Sequence, residues 1–191
     1  MIKIKTPMFL VFTHPAPLFM FYDGSGEKQC GWGVALFDRD ENGLFRLVFD
    51  RWGTVQTHGD FALGAETGSN NTAELTGFGE SLLYLFDECA LDWRARGIVF
   101  GFDSRYSIEA GTGAWRPTTN SELIKTIKCI WTVFDIDKFP IFGLQVKSHN
   151  ENPENEYVDR LADLASDGTP CPHQPQPHHH LHQYQSEYQH T

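Results

Sequence analysis

The stretch "FMFYDGSG", residues 19–26, decides the fold. Four large apolar or aromatic side chains lead straight onto Asp23, and turn residues follow at once. Such a run reads as a buried strand, and a buried strand that delivers a carboxylate at its tip needs a reason. Asp23 fits two roles. Asp before Gly opens turns readily. It also fits a metal site whose other carboxylates lie far along the chain.

Outward from this strand, "GWGVALFD" (31–38) and "GLFRLVFD" (43–50) are short apolar or alternating runs, separated by Gly-containing turns such as "DENG" at 40–43. With "PLFMFYD" (17–23) they predict a three-stranded antiparallel meander. Residues 51–69 read as loop with a short strand. The period then changes. In "NNTAELTGFGESLLYLFDECALDW" (70–93), Leu75, Phe78, Leu82, Leu85, Phe86 and Cys89 recur at helical spacing. "GIVFGFDS" (97–104) predicts a buried strand ending on an acid, and "SRYSIEAG" a short helix stopped by Gly111. "NSELIKTIKCIWTVFD" (120–135) predicts a helix with an Asn start. "PIFGLQVKSH" (140–149) predicts a strand. In "NPENEYVDRLADLAS", Pro153 sits at a helix start, and Val158, Leu161, Ala162 and Ala165 share one apolar face. This order predicts an α/β layer fold with a mixed sheet.

Composition sets the outer limits. The 191 residues suit one domain with an appendage, and 40% apolar residues with 15 Phe suffice for a real core. Residues 167–191 hold six His and five Gln and almost no aliphatic side chain, so they are expected to form a disordered tail. The expected organisation is an N-terminal arm at 1–16, a domain at 17–166 and this tail. The arm's apolar run "MFLVF" is too short for a signal segment, and no run approaches a membrane span. Cys30, Cys89, Cys129 and Cys171 show no CxxC spacing. They read as reduced thiols of an intracellular, cytoplasmic protein. The net charge is −10. The tail carries two acids and no Lys or Arg, so the rest stands at −8. This argues against a protein that binds nucleic acid by charge alone.

Four acids occupy comparable places. Asp23 ends the first core strand, Asp103 ends the fourth, Glu74 lies in the first turn of the long helix, and Asp159 lies early in the last helix. In open α/β sheets, sites gather where strand ends meet helix starts. Each acid also has a plain structural role open to it. Asp23 fits a turn, Asp103 a helix N-cap, Glu74 the partner in a capping box opened by Asn71, and Asp159 a solvated acid beside Glu156 and Asp163. The plain roles require four separate coincidences at one end of the molecule. Packed carboxylates repel one another unless a cation joins them, and a donor set of hard oxygens selects Mg²⁺ or Mn²⁺.

"YDGSG", "NNTAEL", "FDSRYSI" and "SHNENPENEYVDRLAD" follow the order and context of the ribonuclease H family, type 1, which the chain resembles over about residues 17–166. The resemblance implies a five-stranded mixed sheet, three antiparallel strands then parallel additions, flanked by helices. It implies hydrolysis of the RNA strand of RNA–DNA hybrids with two Mg²⁺ ions, Mn²⁺ being a substitute. By motif, Asp23, Glu74, Asp103 and Asp159 match the metal-holding acids, and Asp163 is not the matched position. His149 resembles the family's loop histidine on the leaving side. Asn70 and Asn71 resemble the pair that reaches the minor groove and the 2′-hydroxyls, contacts that distinguish RNA from DNA. Gly24 and Ser25 would let the backbone approach the substrate.

The chain also departs from the family pattern. Glu151 stands where the family usually has glycine after the loop histidine. Of the family's basic, Trp-rich segment only Trp115 and Arg116 remain, as expected substrate contacts. No basic hybrid-binding domain precedes the core. A non-catalytic nucleic-acid-binding module, or another polynucleotidyl transferase of the same fold, is the competing expectation. The complete acid set favours the enzyme. A polymerase or hybrid-binding protein is the expected partner of a monomeric chain.

Overall fold

The computed structural model describes residues 3–5, 16–26, 28–89, 91–136, 139–147 and 152–173. Six strands form one sheet: β1 (Lys3–Lys5), β2 (Leu18–Ser25), β3 (Gly31–Arg39), β4 (Phe45–Thr54), β5 (Ile98–Phe102) and β6 (Ile141–Gln145). Their order is β1-β6-β5-β2-β3-β4. β2, β3 and β4 are antiparallel, while β5, β6 and β1 add in parallel. The expected five-stranded mixed sheet is therefore present. The short β1, inside the expected arm, extends its parallel edge.

β2 lies at the centre and is buried throughout. Its alternation feeds two cores. Leu18, Met20 and Tyr22 join Phe78, Phe100 and Phe134 on one face; Phe19 and Phe21 join Ala35, Val99, Val158 and Leu161 on the other. A strand covered on both faces needs apolar side chains at every position, so this segment reads as a continuous run. The larger core lies under α1 (Asn70–Leu83), α3 (Arg105–Gly111) and α4 (Ser121–Ile136), with the short α2 (Trp93–Arg96) beside it; α5 (Pro153–Ser166) covers the smaller core.

Several boundaries differ from the pattern. The long helix ends at Leu83, widens into a π-helical turn at Tyr84–Glu88, and yields to α2, capped by Asp92. Arg51 fixes that turn through two bonds to the Glu88 carboxylate, 2.8 and 2.7 Å. β4 runs on to Thr54, into the segment that the sequence suggested was loop with a short strand. The start of the segment read as tail packs on the sheet: Trp52 Nε1 donates to Thr169 O at 3.0 Å. The remainder of the tail, residues 174–191, lies outside the described residues. All four cysteines are free thiols. Among the described residues, no helix is long and apolar enough to cross a membrane.

Candidate active site

Three local arrangements bring the acids together. β2 carries Asp23 to its tip, where the Gly24 N–H donates to Asp23 Oδ1 at 2.7 Å. α1 begins against that tip. Its N-cap is Ser69, which accepts from the Thr72 N–H at 3.1 Å. The capping box from Asn71 is therefore not formed, and Glu74 is released from it to face β2. Gly24 makes this approach close: a Cβ there would lie 2.7 Å from the Ala73 carbonyl carbon and also collide with the Glu74 nitrogen. The missing side chain of Gly24 thus serves helix–strand packing.

Asp103 follows β5 directly, and the cap of α3 is Ser104, not Asp103. A buried hydrogen bond between the Tyr22 hydroxyl and Ser107 Oγ, 3.0 Å, fixes α3 to β2 beneath the site. α5 starts at an Asn152 cap with Pro153 behind it, and Glu154 and Glu156 favour its positive end. It lies almost on the backbone of β3: a Cβ at Gly33 would stand 2.5 Å from Val158 O. That contact holds Asp159 over the strand tips.

Carboxylate oxygens of Asp23, Glu74 and Asp103 all lie within 4.8 Å of one another. Asp159 shares their cleft of about 320 Å³, whose walls also include Ser25, Asn70, Asn155, Glu156 and Asp163. Asp23 and Glu74 are buried, 7% and 6% exposed, and Asp103 is partly so. Burial, with the charges of Asp103, Asp159 and Glu74, pushes the Asp23 carboxyl up to about 8. Burial, with Asp103, pushes Glu74 up to about 7. Glu74 Oε1 accepts from Asn70 Nδ2 at 3.1 Å, while its Oε2 is buried without a hydrogen-bond partner. An all-oxygen cluster with repelling charges and one orphaned oxygen fits a hard divalent cation.

Of the other expected residues, Gly24, Ser25 and Asn70 line the cleft, while Asn71, Trp115 and Arg116 are not among its lining residues. Ser25 is buried in its wall. Asn71 is exposed, and Asn70 is exposed but engaged with Glu74. Trp115 is half exposed and meets Tyr106 edge-on, with Arg116 exposed beside it. His149 and Glu151 lie outside the described residues. Asn155 was missed as a cleft residue by the sequence reading; only its place in the Asn-Glu-x-x-Asp run hinted at it. Another cavity, about 510 Å³ and lined by Trp32, Trp52, Phe61 and residues 168–171, holds none of the four acids.

Among solved structures, the fold is similar to LC9-RNase H1, a type 1 RNase H with the type 2 active-site motif. Identity is 20%, with a TM-score of 0.57, over 84% of this chain and 77% of that one. It is also similar to the N-terminal RNase H domain of Rv2228c from Mycobacterium tuberculosis. There identity is 18% and the TM-score 0.53, over 80% of this chain and 100% of that one. The foamy viral protease-reverse transcriptase, solved in complex with RNA/DNA hybrid, matches at 12% identity and a TM-score of 0.54. That match covers 85% of this chain and 21% of the viral one. These identities speak to fold. No curated protein matches the chain by sequence. The RNase H family model matches residues 15–167, most of the chain and every element that carries an acid of the cleft, and the chain belongs to the RNase H family.

Proposed function

We propose that the chain is a metal-dependent endonuclease that hydrolyses the RNA strand of RNA–DNA hybrids. The observation that carries this reading is the meeting of three carboxylates within 4.8 Å, with an oxygen of Glu74 buried and unpartnered. Such a cluster works against folding at neutral pH unless a cation is held there. Asp23, Glu74, Asp103 and Asp159 would hold two Mg²⁺ ions, or Mn²⁺, with Asp23 as the central ligand. Bound there, the ions would supply an activated water and charge to stabilise the leaving oxygen of a phosphodiester.

The chain's own residues supply the rest. Asn70 orients Glu74 through its amide. Asn70, Asn71 and Ser25, at the strand tip and helix start, present polar groups to the minor groove and its 2′-hydroxyls. Trp115 and Arg116 offer a ring and a cation to the backbone on the α3–α4 side. His149, which lies between β6 and α5 in the sequence, assists proton transfer or product release. The products carry 5′-phosphate and 3′-hydroxyl ends. The hybrid is the partner of a monomeric chain that acts beside a polymerase or a hybrid-binding protein.

The test is a gel assay of labelled RNA–DNA hybrid, RNA duplex and DNA duplex, with Mg²⁺ or with EDTA. Cleavage of the RNA strand of the hybrid alone, with Mg²⁺ alone, is expected. Hybrid left intact by Mg²⁺ and by Mn²⁺, or a 2′,3′-cyclic phosphate end, overturns the reading.

A further inference from the structure

Asn155 stands in the first turn of α5, four residues before Asp159, so the two share one face of the helix. Both line the carboxylate cleft. Asn155 is only 4% exposed, and its Oδ1 is buried with no hydrogen-bond partner. Its backbone N–H is already bound to the Asn152 cap, at 2.8 Å, so the helix start makes no demand on the side chain. A buried amide oxygen without a donor costs about 1–3 kcal/mol, so such an atom calls for an account. The side chains that share this cleft with it include six carboxylates: Asp23, Glu74, Asp103, Glu156, Asp159 and Asp163. Ionised carboxylates only accept hydrogen bonds, so none of them can satisfy another acceptor. With the acids ionised around a cation, a water carried by that cation is a donor that suits it.

We infer that Asn155 is a positioning residue of the cation site, its Oδ1 accepting a hydrogen bond from a water carried by the ion that Asp159 helps to hold. The inference rests on the proposed metal-dependent function and adds to it a neutral oxygen, which raises affinity without adding to the repulsion among the acids. Partners of this outer kind are typically worth about 10–100-fold in metal affinity.

The experiment uses the full chain without nucleic acid. Mg²⁺ alone is titrated by calorimetry into wild type, Asn155→Ala and Asn155→Asp, and unfolding of each is followed by urea in EDTA. Asn155→Ala should weaken Mg²⁺ binding about tenfold, while its stability in EDTA stays level or rises because the orphaned acceptor is gone. Asn155→Asp keeps an oxygen at the place and should bind Mg²⁺ at least as tightly as wild type. Unchanged Mg²⁺ affinity in Asn155→Ala would overturn the inference. So would weakened binding in both variants, which would show that the amide acts as a donor to the carboxylates. If wild type itself takes up no Mg²⁺, the proposed function fails with it. If wild type binds and Asn155→Ala binds equally, only the role of Asn155 falls.

Discussion

Asp23→Asn should make the metal-free protein more stable, and increasingly so as pH rises. Asp23 titrates near 3.8 in the unfolded chain and near 8 in the fold, mainly because it is buried and then because Asp103 lies beside it. Between those values the folded state holds a proton that the unfolded state has released. Stability of the metal-free wild type therefore falls with rising pH across that window, by up to about 1.4 kcal/mol per pH unit. Glu74, raised from 4.5 to about 7, adds to the slope over its own window. The full span for Asp23 corresponds to about 5–6 kcal/mol above pH 8. Relaxation of the cleft and entry of water reduce this, and a gain of about 2–3 kcal/mol is expected for the variant at pH 8.5.

The amide suits the site sterically. Its oxygen keeps the 2.7 Å bond from the Gly24 N–H, and its NH₂ faces a cleft of carboxylates. Urea unfolding in EDTA at pH 4.5, 7 and 8.5 measures the effect. The two proteins should differ by less than about 1 kcal/mol at pH 4.5, where acid and amide are both neutral in the fold, and diverge above it. Adding Mg²⁺ should stabilise wild type at pH 8.5 and leave the variant nearly unmoved, since a ligand stabilises only the state that binds it. A wild type with flat stability from pH 4.5 to 8.5 in EDTA, or a variant no more stable than wild type at pH 8.5, would refute the reasoning.

Asp103→Asn should reduce hydrolysis to background while hybrid binding, read by gel shift, stays within about threefold, because one ligand charge is lost and the shape is kept. Gly24→Ala should cost about 3 kcal/mol or more in urea unfolding, since its Cβ would strike α1 backbone that cannot swing away. A loss below about 1 kcal/mol would mean α1 sits further from β2. His149→Ala should lower turnover far more than it weakens binding; an unchanged turnover number would remove the histidine from the chemistry. Hybrid binding by the chain alone should be weak, with a shallow salt dependence, and fusing a basic hybrid-binding module should lower KM more than it raises kcat. Nanomolar binding at ~0.15 M salt with a steep slope would contradict this.

The strands and the acids at their tips were legible because they obey a period or end one. A run such as residues 18–23 can be apolar at every position only if both faces are covered, which already puts it mid-sheet. What escaped depends on contacts between distant segments. In "SNN" any of three side chains has the chemistry of a cap; Ser69 takes it because its backbone is extended, with φ −160 and ψ 165. Only with that choice made does Glu74 stop being a cap partner and become a cleft acid. Gly24 reads as a turn residue until α1 is seen lying against it. The break at Tyr84–Glu88 carries no Pro or Gly. Its turn is held instead by Arg51 from β4, which no local pattern announces. Asn155 looked like an ordinary helix-start residue because the burial of its oxygen without a hydrogen-bond partner is a property of the assembled cleft.

Charge is where fold and function pull against each other. Under the proposed function, residues 1–166, at −8, meet a polyanion, and part of their positive charge is already committed. Arg51 and Arg96 are held by Glu88 and Asp38 in largely buried pairs, so they serve the fold. Arg105 and Lys125 stand beside Glu109 and Glu122 on their own helices. Those two pairs are exposed and therefore weak and screened by salt, so phosphates can compete for them. That leaves a handful of phosphate contacts, each of which contributes about −0.9 to the log–log salt slope on B-DNA. Under the proposed function, cations held by the acids would offset part of the repulsion at the point of reaction. Affinity and turnover should therefore rise along the same Mg²⁺ titration. A chain with a preformed basic surface would bind hybrid well in EDTA and merely fail to cut it.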